Sequence, residues 1–88
     1  MQINKVDFAN EFSKSIKKLL PKEKSLYLKK YQWFIENPYD ARLKTHKLRG
    51  RLADRTSFSV NYSIRVVFKF ITTDKVVFLD IGTHEVYK

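Results

Sequence analysis

The chain has 88 residues, no cysteine, and 18 Lys and Arg against 9 Asp and Glu for a formal net charge of +9. Domains typically hold ~100 residues or more, so residues 1–88 form one domain; lack of cysteine excludes a disulfide framework and a thiolate metal site. No apolar run approaches the ~20 residues of a membrane span, and the N-terminus lacks a signal-peptide layout, so the expectation is a soluble, cytoplasmic protein with a polyanionic partner and no membrane contact.

A short strand is predicted over residues 2–6. Asp7 can then cap a helix in which Phe8, Phe12, Ile16, Leu19 and Leu20 recur at helical spacing. Pro21 interrupts that pattern. Leu26, Tyr27, Tyr31, Phe34 and Ile35 mark a second helix, closed at Asn37 because a residue preceding proline avoids helical dihedrals. The two helices should form an antiparallel hairpin with lysines on its exposed faces.

The composition changes at Ala41. The stretch ARLKTHKLRGRLADR carries six basic residues besides His46 and reads as a basic loop leading into a strand. From Phe58 to Phe70 apolar and polar residues alternate with the period of a half-buried sheet, predicting two strands joined near residues 61–63. Thr72 to Asp74 make the next turn. Residues 75–81 are apolar at nearly every position, as in a central strand covered on both sides. The expected class is α+β, with an N-terminal strand and a two-helix hairpin on one face of a twisted, mainly antiparallel four-stranded sheet.

Two helices can cover only one face. Parity places Arg65 opposite Val66 and Phe68, so Arg65 faces the uncovered side, where the tail GTHEVYK also delivers His84, Glu85 and Tyr87. Cutting RNA without a metal requires a base for the ribose 2′-OH, a cation for the developing phosphorane charge and an acid for the leaving 5′-oxygen. Imidazole, guanidinium and phenol can fill those roles. Each residue also has a plain reading: a surface histidine, an Arg65 paired with Asp80 or Glu85, a core tyrosine with a wet hydroxyl. Two histidines without a carboxylate cluster make a poor metal site, and no glycine-rich phosphate loop or serine nucleophile set stands out.

The stretches LKTHKLRGRL, SIRVVFKF and VVFLDIGTHEVYK together resemble the RelE/ParE superfamily of toxins from type II toxin–antitoxin modules, particularly the RelE, YoeB and YafQ messenger-RNA interferases, over essentially the whole chain. The resemblance implies a metal-independent endoribonuclease, with no cofactor, that cleaves messenger RNA in the ribosomal A site through 2′-OH attack. It implies that Arg65 stabilises the transition-state phosphate, that His84 gives or takes a proton, and that Tyr87 stacks on a base or assists proton transfer. His46 resembles the YafQ-type histidine, and Lys44, Lys47, Arg49 and Arg51 would hold RNA phosphates. Where YafQ-type members carry a further histidine and aspartate this chain has Ser59, Asn61 and Ser63, and Thr83 and His84 stand where RelE-type members often place an arginine, so the implied catalytic set is mixed. Implied partners are an acidic cognate antitoxin, messenger RNA and the ribosome, with operator DNA reached only through the antitoxin. The superfamily leaves two alternatives: a non-enzymatic ParE-like gyrase inhibitor, or an inactivated relative that only binds its antitoxin.

Overall fold

The computed structural model describes residues 2–87, with Glu85 by its backbone alone. Strand β1 (Lys5–Phe8) leads into helices α1 (Asn10–Ile16) and α2 (Pro21–Glu36); β2 (His46–Lys47), β3 (Thr56–Ser59), β4 (Arg65–Phe70) and β5 (Lys75–Gly82) follow. The sheet has five strands in the order β1-β5-β4-β3-β2, all neighbours antiparallel except β1 beside β5. The α+β architecture is as expected; the extra strand is the two-residue β2, too short for a periodicity to reveal. No helix is long and apolar enough to cross a membrane among the described residues.

The start of the first helix differs from the sequence reading. Asp7 lies in β1, paired with Val77, and α1 begins after Ala9. The register is set from a distance, because Asn4 and Lys5 both donate their amides to the Asp74 carbonyl. Pro21 does not break a helix but opens α2, where its missing N–H costs nothing. Glu23 reaches back to accept the Leu20 amide at 2.8 Å, supplying the acidic half of a capping box.

The β3–β4 connection is built by Asn61, whose Oδ1 accepts the amides of Ser63 at 2.8 Å and Ile64 at 2.7 Å. Tyr62 therefore stands at the tip, 96% exposed, although alternation assigns it to the apolar face. Strand β5 also differs from a strand covered on both sides. It has no ladder partner for Leu79: Phe78 pairs with Phe68, while Asp80 already pairs with Val67. This bulge shifts the parity, so that Val76 and Phe78 before it and Ile81 after it are all buried.

Phe34, Phe58, Phe68 and Phe78 are fully buried and form the centre of the core. The Phe78 ring packs on Phe34 at 5.2 Å, Phe12 at 5.5 Å, Phe8 at 5.7 Å and Phe68 at 6.2 Å, so it contacts both helices and the neighbouring strands at once. Phe78→Ala should therefore cost about 3–5 kcal/mol, a large share of the ~5–15 kcal/mol typical of a domain. Tyr62→Ala should stay within about 0.5 kcal/mol of the parent. Urea denaturation checks both, through midpoints at unchanged slope.

Candidate active site on the open sheet face

Cα partners in a ladder share a face, which fixes the side of the sheet away from the core. His46 pairs with Ser57, Ser57 with Val67 and Val67 with Asp80, forming one row across four strands. Ser59, Arg65 and Gly82 form the next row, about 7 Å further along by the rise of two strand residues.

Two serine hydroxyls hold the larger groups. Arg65 Nη1 donates to Ser59 Oγ at 2.6 Å, which leaves most of the guanidinium donors for a ligand. The Tyr87 hydroxyl and Ser57 Oγ share a hydrogen bond of 2.7 Å. Tyr87 closes the 3-10 turn His84–Tyr87, in which the Val86 amide donates to the Thr83 carbonyl. This turn folds back tightly: a Cβ on Gly82 would stand 3.1 Å from Val86 Cγ1, so glycine permits the approach. The His84 ring meets Tyr87 edge-on, with centroids 5.4 Å apart. Ser57 is fully buried, whereas His84 is exposed.

The bulge in β5 makes this arrangement possible. Strict alternation from Phe78 would turn Gly82 toward the core; with Leu79 unpaired, Ile81 takes the core side and Gly82 emerges beside Arg65. Arg65 and Tyr87 thus lie on the same side of the sheet, with His84 against Tyr87.

His46 stands on the same face at the exposed edge strand. Its Nδ1–H donates to the Lys44 carbonyl at 3.0 Å. A carbonyl only accepts, so this bond leaves Nε2 as the nitrogen with a free lone pair. Lys44 has a left-handed backbone, φ 52°, and lines a concavity together with Arg65. Lys47 pairs with Thr56, itself the partner of core Phe68, so parity directs it to the opposite face from His46. Arg49 and Arg51 are exposed on the β2–β3 connection, where Gly50 supplies a φ of +68°, and no side-chain hydrogen bond or ion pair holds either among the described residues.

Arg65 forms no ion pair among the described side chains, and Asp80 instead accepts the Ile81 amide at 2.9 Å. A pairing of Arg65 with Glu85 lies outside the described residues. No group of three or more potential metal-ligating side chains is present among them either. The sequence reading missed the supporting roles of Ser57 and Ser59. Their alternation with Phe58 and Val60 already placed both hydroxyls on the face of Arg65.

No protein-family model matches the chain, and no curated protein does. Solved structures match along nearly its full length. YafQ from E. coli strain BL21(DE3) superposes with a TM-score of 0.70 at 21% identity, covering 93% of this chain and 94% of that one. The YoeB/ParE toxin from Agrobacterium tumefaciens gives 0.76 at 12% identity, covering 91% and 98%. The toxin–antitoxin complex RelBE2 from Mycobacterium tuberculosis gives 0.76 at 19% identity, covering 96% and 100%. The fold is that of the RelE/ParE-like toxins.

The Ser57–Tyr87 bond is the testable element of this geometry. Ser57→Ala and Tyr87→Phe should each destabilise by about 1 kcal/mol, and the double variant by little more than either alone, giving a coupling of roughly 0.5–1.5 kcal/mol in a denaturation cycle. Additive losses would mean that the hydroxyls do not interact.

Proposed function

We propose that this chain is the toxin of a type II toxin–antitoxin module and cleaves messenger RNA in the ribosomal A site by attack of the ribose 2′-oxygen. The observation that supports the reading is the placement on one sheet face, opposite the helices and under the C-terminal turn, of a guanidinium without an ion-pair partner among the described side chains, two imidazoles and a phenol. In the proposed reaction the 2′-oxygen bonds to the adjacent phosphorus as its proton passes to an imidazole. The P–O5′ bond then breaks, and the leaving oxygen takes a proton from the acid. The products are a 2′,3′-cyclic phosphate and a free 5′-hydroxyl, so the balance needs no metal or cofactor.

Arg65 would grip the phosphate oxygens as charge builds on them, with Ser59 fixing the fork. The lone pair on His46 Nε2 suits the base, and His84, exposed beside the phenol of Tyr87, suits the acid. Lys44, Arg49 and Arg51 would add phosphate contacts, and Lys47, on the other face, only ordinary electrostatic attraction to the ribosome. RelBE2 is a toxin–antitoxin complex; for the present chain, with its net charge of +9, an acidic antitoxin is the complementary partner. Operator DNA would be reached through that antitoxin.

Toeprinting on ribosomes programmed with a defined A-site codon tests the reading. Cuts should fall within that codon and vanish when the ribose preceding the scissile phosphate is 2′-deoxy. Arg65→Ala or His84→Ala should each lower the cleavage rate at least ~100-fold. Intact messenger RNA in growth-arrested cells, accompanied by trapped DNA breaks, would overturn the proposal in favour of gyrase inhibition.

A further inference from the structure

Beside the row of Arg65 the surface dips into a concavity of about 320 Å³, lined by Lys30, Arg42, Lys44, Arg65 and the tip residues Asn61 and Tyr62. Its cations come from separate elements: α2, the 3-10 turn Ala41–Leu43 with its left-handed end, and β4. Lysines scattered over a helix are usually solvated charge, but here four cationic side chains converge on one hollow.

The hollow is built rather than incidental. The Trp33 ring acts as a shelf, with the Arg42 guanidinium carbon 3.6 Å and Lys30 Nζ 4.5 Å from its centroid. Asp40 clamps Arg42 through two bonds, Nε to Oδ1 at 3.0 Å and Nη2 to Oδ2 at 2.8 Å, and also accepts the Arg42 amide. That guanidinium holds the Asp40 carboxyl down to about 2, so the clamp stays charged at neutral pH. Asp40 offsets one of the positive charges. For Lys30 burial, followed by the nearby charges of Lys29 and Arg42, lowers the ammonium pKa. Lys44 is held at the rim by a backbone φ of 52°, a conformation uncommon for a residue with a side chain.

Tyr62 identifies the kind of anion. An acidic peptide would need only the cations, but a tyrosine ring that is 96% exposed beside them offers a π-face of the kind on which unpaired bases stack. Arg65 belongs both to this hollow and to the proposed cleavage site, so an RNA strand leaving one runs directly into the other. We propose that the concavity is a subsite for the nucleotide next to the scissile step: Lys30 and Lys44 bind its phosphate, and its base stacks on Tyr62. This assignment rests on the ribonuclease reading for its choice of RNA.

The test measures binding of the full chain to a short, fluorescein-labelled single-stranded RNA, 2′-O-methylated throughout so that it cannot be cut, across a range of salt concentrations. Lys30→Gln and Lys44→Gln should each weaken binding and lower the logarithmic salt slope by about 0.7, the value for one single-strand phosphate contact. Tyr62→Ala should weaken binding about tenfold with the slope unchanged, as loss of a stacked base predicts. Full RNA affinity in all three variants, or no binding by the parent chain, would overturn the proposal. So would polyglutamate binding that depends on the two lysines while RNA binding does not, which would assign the hollow to an acidic protein. The two readings fail separately: a parent chain that cuts A-site codons while these variants bind normally loses the subsite alone, and one that binds through these residues but never cuts loses the ribonuclease alone.

Discussion

Phe78 is the point at which the helical layer and the sheet become one structure. Its ring packs against Phe12 of α1, Phe34 of α2, Phe58 of β3 and Phe68 of β4, all within about 6 Å between centroids. A chain of this length buries only roughly two thirds of its unfolded surface, so it relies on a few large side chains that each satisfy several neighbours. Anchoring β5 at Phe78 also fixes where its parity must change. Ile81 has to return to the same core three residues later, and an unpaired Leu79 is how the strand does so. A packing requirement on the helix-covered face therefore determines what arrives on the opposite one: the strand leaves the sheet at Gly82 beside Arg65, and the tail turns over that face.

The charge distribution follows a similar division. Most of the lysines on α1 and α2 are exposed, and they contribute a general positive field rather than a defined contact. Around Trp33 the field becomes geometry. An aromatic shelf and a carboxylate clamp restrain Lys30 and Arg42 before any ligand arrives, so less side-chain freedom is lost on binding. Arg65 is held in the same manner by Ser59. The side chains expected to meet phosphate are thus restrained by neutral or partly neutralising partners, which leaves the net attraction for an anion largely intact.

What the sequence made legible divides along the range of the interactions. The β3–β4 hairpin and the outward face of Arg65 were readable because alternation from Phe58 to Phe70 is a local pattern, and Asn61 marks the turn chemically. The start of α1 was not, because Asp7 looks like a cap but is recruited into β1 by pairing with Val77, seventy residues away. Residues 75–81 appeared uniformly apolar for a reason that composition hides: a parity switch, not burial on both faces. The tail and the basic loop marked His84, Tyr87 and His46 as candidates and the resemblance assigned roles to them and to the basic residues, but which of them converge depends on tertiary contacts. Lys44 lines the same hollow as Arg65, whereas Lys47, three residues further on, is turned to the other face by the register of a two-residue strand. The stack of Arg42 on Trp33 has no sequence signature at all, since neither residue type nor spacing distinguishes it from an ordinary solvated arginine.

The two halves of the proposed site are anchored with different strength. Arg65 sits inside a ladder, with Ser59 on one side and Gly82 on the other, and moving it would mean breaking backbone pairing that the core supports. His84 and Tyr87 lie beyond the last strand. Among the described residues, their ties to the sheet include one hydroxyl pair, the close approach of Val86 to Gly82 and the packing of the half-buried turn against β4 and β5. A neutral hydrogen bond adds only about 0.5–1.5 kcal/mol net, so apart from the packing of its turn the tail lacks the ladder pairing that holds the guanidinium. A partner that covers this face would need to move only the tail, not unfold the sheet, to separate the groups proposed for proton transfer from the one proposed to grip phosphate. An acidic segment competing for the cations beside Arg65 would act on the phosphate-binding half as well, so blocking such a site requires coverage rather than distortion of the fold.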